Sequence, residues 1–301
     1  LLGWLAAHRG LAPLRRVTTT ARRLSADGLS LRLDEAGAPA EVRDFVDAFN
    51  GMLARLEASF TRLSDFSADI AHELRTPISN LMTQTEVALS RARSSEAYRE
   101  VLASNLEEFE RIARMVGDML FLAQAENGRL PRPVETVQLD DEARALIEFY
   151  EALAEDRGVK ITLAGQARVT GDRLMLRRAL SNLLSNALRH TPAGSTIGID
   201  IRDADEAADG MATLSVSNPG DPIPSDQLER IFDRFHRASD ERARKGEGAG
   251  LGLAITRSIV LAHGGDIRAA SADGQTRFTL TLPRATAAAG SVPPSHTGAA
   301  T

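Results

Sequence analysis

A histidine on one helix face, two asparagines one turn apart and a run of alternating glycines are the residues of this 301-residue sequence whose types and spacing can do chemistry. His72 lies in SADIAHELRTPISNL, Ser67 to Leu81. Leu63, Phe66 and Ile70 recur at three- and four-residue spacings and predict an apolar helix stripe. His72 falls roughly 200° round from Ile70 at about 100° per residue, and so faces away from that stripe. An exposed imidazole among Asp69, Glu73 and Arg75 is a usable nucleophile near neutral pH, although a merely solvated histidine has the same surroundings. Glu73 can orient the ring or accept its proton, and Thr76, at i+4, shares its side. Pro77 lacks an amide donor and predicts a bend just after His72.

Four later segments carry a second chemistry. In SNLLSNALRHT, Ser181 to Thr191, Asn182 and Asn186 stand at i,i+4 on a helix whose other side holds Leu180, Leu183, Leu184 and Leu188. Their carbonyl oxygens can ligate Mg²⁺ beside phosphates, or simply hydrogen-bond locally. Arg189 can reach phosphate oxygens. VSNPGDPIP, Val216 to Pro224, contains a forced turn at Pro219-Gly220 where a base can approach the backbone. In IFDRFHR, Ile231 to Arg237, Phe232 and Phe235 read as anchors of a moving segment or as core aromatics, with Arg234 or Arg237 able to meet phosphate. In GEGAGLGLAI, Gly246, Gly248, Gly250 and Gly252 alternate before a helix, where freed backbone amides cradle phosphate. No Gly-Lys-Ser/Thr follows, so this is not a P-loop. It lies late, without an early βαβ unit, so it is not a dinucleotide fingerprint either. The charged run Asp240 to Glu247 before it suits a lid that excludes water.

The elements that must position these residues follow from periodicity. Residues 11–62 read as two short helices, with Leu14, Val17, Ala21 and Leu24 on the first and Val42, Phe45, Val46, Phe49, Leu53 and Leu56 on the second. Leu29, Leu31 and Leu33 alternate in the connector between them. After Gly51 nothing breaks the second helix before His72, so a shift upstream has a rigid path to the imidazole. A turn at Arg93 to Glu96, capped by Ser94 or Ser95, leads to a helix to about Ala125. Its expected buried side is Leu102, Leu106, Phe109, Met115, Val116, Met119, Leu120 and Leu122. Such a hairpin leaves a broad apolar face uncovered, and two hairpins make a four-helix bundle, which predicts a homodimer. Pro131 and Pro133 mark a linker. From Val134 the pattern alternates strands and helices, with a hairpin of Ile197, Ile199, Ile201 and Ala212, Leu214, Val216, and predicts an α/β two-layer sandwich to residue 284. Residues 285–301 read as a disordered tail.

Composition narrows the classes. No cysteine means no disulfide, thiolate metal site or cysteine catalysis, and fits a reducing compartment. A net charge of −5 argues against nucleic acid as partner, and 4% aromatic residues against stacking platforms. LLGWLAAHRG at the start is apolar but too short to span a bilayer. Residues 1–10 fit the end of a transmembrane helix with Trp4 at the interface and His8-Arg9 on the cytoplasmic side, or an ordinary buried helix start.

Phe66 to Leu81, with its His-Glu-Leu-Arg-Thr-Pro core, resembles the phosphoacceptor box of sensor histidine kinases. The four later segments, in order, resemble the N, G1, F and G2 boxes of the GHKL-type ATP-binding domain, and 11–62 resembles a HAMP linker through Pro13, Glu41 and Phe49-Asn50-Gly51-Met52. The resemblance covers about residues 11–284. It implies a dimerisation and phosphotransfer hairpin at 63–128, a GHKL (Bergerat) catalytic domain at 134–284, and a fragment on the cytoplasmic side of a bacterial inner membrane, linked to it by an upstream segment. By that resemblance His72 is phosphorylated, Glu73 is its acid/base partner and Thr76 serves dephosphorylation of a partner response regulator. Asn186 holds Mg²⁺ with Asn182 nearby, and Arg189 and His190 contact phosphate and nucleotide. Phe232 and Phe235 belong to the F box, Gly248, Gly250, Leu251 and Gly252 to the lid hinge and phosphate contacts, and Gly220 to the G1 turn. The G1 position that usually holds an adenine-reading Asp is Asn218 here, as in the heavy-metal sensor subgroup; its carbonyl can accept the same hydrogen bond, with Asp221 the alternative. The implied function is autophosphorylation from ATP and transfer to a response regulator. The alternatives are a kinase-dead nucleotide-binding scaffold and another GHKL-type ATPase.

Overall fold

The computed structural model describes residues 30, 32–33, 40–130, 135–203, 210–236 and 250–285. The first helix expected in 11–62, residues 1–10 and the tail 286–301 lie outside them. The chain forms two compact units, Leu1–Leu102 and Ala103–Thr301.

The first unit is dominated by α1, Ala40–Leu89, an unbroken helix of 50 residues. It runs straight on from the second helix expected in 11–62 into the His72 segment. Pro77 lies inside it without ending it. A lone interior proline removes one backbone bond and crowds the preceding turn, while the turns on either side keep their own bonds. Part of the connector is held against α1 by Asn50. Its side-chain oxygen accepts from the Leu33 N–H at 2.9 Å, and its amide donates to the Leu33 carbonyl at 3.1 Å. Arg32 donates to Glu57 at 2.5 Å. Val46 and Leu53, two helical turns apart, are buried there. Phe45 and Leu56, expected on the same stripe, remain 45% and 48% exposed in the single chain.

Helix α2, Ser95–Glu126, starts in the first unit and continues into the second. Ser94 caps it, its hydroxyl accepting from the Ala97 N–H at 3.2 Å. The expected single buried side divides into two. Met115, Met119 and Leu122 are buried, together with Asn105. Leu102, Leu106, Phe109, Val116 and Leu120 are exposed. At about 100° per residue these sets form neighbouring stripes rather than one, and one chain covers only the first.

The second unit holds the sandwich: β1 (Glu135–Gln138), α3 (Leu139–Asp156), β2 (Lys160–Gly165), β3 (Arg168–Gly171), α4 (Arg173–His190), β4 (Thr196–Arg202), β5 (Met211–Pro219), a 3₁₀ turn at Arg230–Phe232, α5 (Gly252–Ala262), β6 (Asp266–Ala272) and β7 (Gln275–Pro283). The main sheet runs β2-β4-β5-β7-β6, with β2 parallel to β4 and the other neighbours antiparallel. β1 and β3 make a separate two-stranded sheet. Ile197, Ile199 and Ile201 of β4, and Ala212, Leu214 and Val216 of β5, are buried at alternate positions. They meet the leucine face of α4, where Leu180, Leu183, Leu184 and Leu188 are buried.

Polar contacts fix α4 against its neighbours. Asp172 caps it, accepting from the Met175 N–H at 3.0 Å. Glu142 of α3, its side chain only 4% exposed, accepts from Arg173 Nε at 2.5 Å and Arg177 Nε at 2.6 Å. His263, just past α5, is also buried. Its Nε2 accepts from the Asp172 N–H at 2.9 Å and its Nδ1 donates to the Ile259 carbonyl at 2.7 Å. One imidazole thus joins the start of α4 to the end of α5.

Candidate functional site

In the first unit His72 is exposed on α1, next to a half-buried Glu73, with Thr76 exposed one turn on. Pro77, by contrast, is buried. The helix therefore presents the imidazole, as its position opposite the Phe66–Ile70 stripe requires.

In the second unit the asparagine helix and the glycine turn meet. Asn182 donates from Nδ2 to the Gly252 carbonyl at 3.0 Å, and Thr256 donates to the same oxygen at 2.9 Å. The first residue of α5 is thereby tied to the middle of α4. A Cβ on Gly252 would lie 3.6 Å from Asn182 Cγ, in ordinary contact. One turn along, the half-buried carboxamide of Asn186 has no partner among the described residues. Its oxygen is a donor of the hard type that Mg²⁺ prefers. Arg189 and His190 are exposed at the end of the helix.

Gly250 sits at φ +68°, and Leu251 beside it is buried. A Cβ at Gly250 would come within 3.0 Å of the Phe235 backbone, whose N–H donates to the Gly250 carbonyl at 3.0 Å. Phe235 itself takes the left-handed conformation, φ +58°, and is half exposed. The two aromatics of the F segment thus have different places: Phe232 is a core residue, edge-on to Phe278 at 6.3 Å, while Phe235 stands against the glycine turn. Arg234, a candidate phosphate partner, forms an ion pair with Glu126 at the end of α2. Gly246, Gly248, Arg237 and the charged run Asp240 to Glu247 lie outside the described residues.

Asn218 is buried at the end of β5, its Nδ2 donating to the Pro219 carbonyl at 3.1 Å. That bond turns the amide so that Oδ1 is the atom left to accept. Gly220 follows, and a Cβ there would meet the His190 carbonyl at 2.8 Å, so only glycine lets the G1 turn and the end of α4 pass this closely. Asp221, the alternative base contact, is exposed. Sequence reading missed Thr276, which pairs with Asn218 across β5 and β7 and is buried. The available signal was its inward position in β7, in step with Phe278, Leu280 and Leu282, where a hydroxyl replaces a hydrocarbon.

A groove of about 670 Å³ between α3 and the edge strand β2, lined by Arg144, Ile147 and Leu163 among others, contains none of these residues. Described parts of the four segments singled out in the sequence meet instead at the junction of α4, α5 and the β5 end: Asn182 with Gly252, Phe235 with Gly250, His190 with Gly220.

Comparison with known proteins agrees with this geometry. Residues 5–58 match the HAMP domain family, 62–128 the His Kinase A (phospho-acceptor) domain, and 171–286 the histidine kinase-, DNA gyrase B- and HSP90-like ATPase family. The chain is 51% identical over 280 residues to the sensor histidine kinase CusS of Escherichia coli K12, covering 93% of this chain and 58% of that protein. It is 43% identical over 284 residues to the sensor protein CzcS of Cupriavidus metallidurans, covering 94% and 59%. The chain therefore spans a little over half the length of these curated relatives. Full-length ShkA, crystallised in complex with AMPPNP, is a structural neighbour with a TM-score of 0.56 and 25% identity, covering 75% of this chain and 47% of that one.

Proposed function

The chain belongs to the sensor histidine kinase family, close to its heavy-metal sensors, and from that premise we propose that it transfers the γ-phosphoryl group of ATP to His72 and passes it on to an aspartate of a response regulator. The observation that carries this reading is the presence in one chain of an exposed His72 on α1 and of an Asn182–Gly252 junction in the second unit. The family's division is proposed at 11–62 for the HAMP linker, 63–128 for the phosphotransfer hairpin and 134–284 for the catalytic domain.

An imidazole nitrogen of His72 attacks the γ-phosphorus, the bond to the bridging oxygen breaks, and ADP leaves with that oxygen's electron pair. Glu73 orients the ring and takes the proton from its other nitrogen. Little covalent work falls to the protein, so positioning and charge stabilisation supply most of the rate. Asn186 Oδ1 would hold Mg²⁺, with Asn182 fixing the neighbouring turn. The ion supplies charge neutralisation on the phosphates. Arg189 and His190 contact phosphate and nucleotide from the end of α4. Asn218 Oδ1 accepts from the adenine amine, its amide held by Pro219, with Thr276 beside it. The Gly250–Gly252 turn offers backbone amides at the start of α5. Thr76 positions water for dephosphorylation of the regulator. The likeness to ShkA with its bound AMPPNP supports the nucleotide assignment.

The exposed stripes Leu56, Phe60, Leu63 on α1 and Leu102, Leu106, Phe109 on α2 are the face a second copy covers, which makes the working form a homodimer. No described helix is long and apolar enough to cross a membrane. The HAMP match supports an upstream link to a membrane, with these units on its cytoplasmic side. His72→Gln tests the centre of the reading. Labelling by [γ-³²P]ATP should disappear while nucleotide binding persists, and labelling that survives the substitution removes His72 from the mechanism.

A further inference from the structure

Helix α2 ends against the sandwich through side chains that take no part in that chemistry, although residues 103–126 and the sandwich belong to one compact unit. Arg178 of α4 is paired with Asp118 of α2, and its guanidinium lies over the Phe121 ring, 4.5 Å from the centroid. Two turns further along α2, its last residue, Glu126, pairs with Arg234.

Both cations border the nucleotide segments. Arg178, Asn182 and Asn186 recur every four residues, so they share one face of α4, each about 6 Å further along the axis. Arg234 directly precedes Phe235, whose N–H is bonded to Gly250. Helix α2 therefore brings two carboxylates to the borders of the site, one at the asparagine helix and one at the glycine turn. Each carboxylate is held by a cation, Arg178 or Arg234, of the kind that also attracts a triphosphate.

We propose that the end of α2 is a resting latch whose Asp118 and Glu126 compete electrostatically with the nucleotide, so that docking of α2 on the sandwich and ATP binding oppose each other. The latch is built to open. Asp118 and Arg178 keep about a third of their side-chain surface in water, at 32% and 35%. Burial pushes the Asp118 carboxyl up, and Arg178 counters this without cancelling it, so the ionised carboxylate is held where it is incompletely compensated. Phe121 contributes a cation–π contact that is lost together with the ion pair. Because linkage is reciprocal, docking weakens nucleotide binding by the same factor by which the nucleotide weakens docking. The end of α2 and the sandwich would then be released from each other by the arrival of the nucleotide itself.

This inference rests on the nucleotide reading, and the experiment separates the two. Binding of Mg²⁺-AMPPNP is measured by calorimetry on the whole chain, the Asp118→Arg variant, the Glu126→Arg variant and the Asp118→Arg/Arg178→Asp exchange. Either single reversal should tighten binding about 5-fold or more, a typical coupling size, and the exchange should return the 118–178 pair toward the parental value. The docked state is followed independently by spin labels on Glu110→Cys and Glu155→Cys, clean sites in a chain without cysteine. AMPPNP should shift and broaden their distance distribution, as should Asp118→Arg alone. Equal or weaker binding in the reversal variants, with an unmoved distance, overturns the latch. Failure of every form to bind AMPPNP overturns the nucleotide reading instead.

Discussion

Gly250, just before α5, and Gly252, its first residue, should respond differently to alanine, for reasons that can be worked from their surroundings. Gly250 has φ +68°, in the left-handed region, where an L side chain costs about 1–2 kcal/mol. Its added Cβ would also press within 3.0 Å of Phe235 C and Cα and 3.1 Å of the His236 carbonyl. Those neighbours are backbone, with no flexible side chain to yield. Gly252 lacks both problems, since its Cβ would rest 3.6 Å from Asn182 Cγ and its φ is ordinary. Gly250→Ala should therefore lower stability by at least about 1–2 kcal/mol, which is a fall in Tm of roughly 2–8 °C for a unit of this size. If the strain is relieved by displacing the turn, ATP affinity drops by roughly 5- to 30-fold, the same free energy read as binding. Gly252→Ala should unfold within about 2 °C of the parent, so any affinity it loses reports a methyl in the path of the phosphates. Calorimetry of Mg²⁺-ATP binding and thermal melts on both variants decide the matter. A Gly250→Ala protein with parental Tm and affinity would falsify the argument from conformation.

Two further outcomes follow from buried polar groups. His263→Ala removes the acceptor of the Asp172 N–H and leaves an imidazole-sized gap between α4 and α5, so urea denaturation should show a loss of about 2–4 kcal/mol; a change below about 0.5 kcal/mol would mean the two helices do not need that joint. Asp118, with its carboxyl raised from an ordinary 3.8, binds its proton more tightly folded than unfolded, so its contribution to stability is full below 3.8 and is lost as the pH rises through the raised value. Asp118→Asn lacks that titration, and its stability relative to the parent should climb as the pH rises from about 3.8 and then level off; a gap constant with pH would contradict the burial of the carboxyl.

Local periodicity made much of this molecule legible. The Val46 and Leu53 side of α1, the leucine face of α4 and the alternation in β4 and β5 each repeat within a few residues, so composition at fixed spacing identifies them. Gly250 and Gly252 were legible for a similar reason, because glycine before a helix has few local explanations. What escaped depends on partners distant in sequence. β3 has four residues and pairs with β1, which lies before α3 and β2 in the chain, rather than with the main sheet. Thr276 acquires its place only through its register with Asn218. The outer stripe of α2 reads as core because a sequence does not tell one chain's interior from a surface meant for another copy. Arg178, 60 residues from Asp118, looks like an ordinary helix-surface cation until α2 lies beside it.

On the proposed reading, the segment that carries His72 and the nucleotide site are held by different kinds of structure. Asn50 of α1 bonds both the N–H and the carbonyl of Leu33, and so ties the connector to this end of the helix. From Asn50 to His72 the helix has no break, a span of about 33 Å at 1.5 Å per residue. A rotation imposed at the connector therefore has an unbroken helical path to His72. The ATP end is assembled differently, from single polar bonds between separate elements: Asn182 to Gly252, Phe235 to Gly250, Arg234 to Glu126. Bonds of that kind break one at a time, at about 1 kcal/mol each. On the proposed reading, then, an unbroken helix presents the acceptor imidazole, and a site joined by single polar bonds holds the nucleotide.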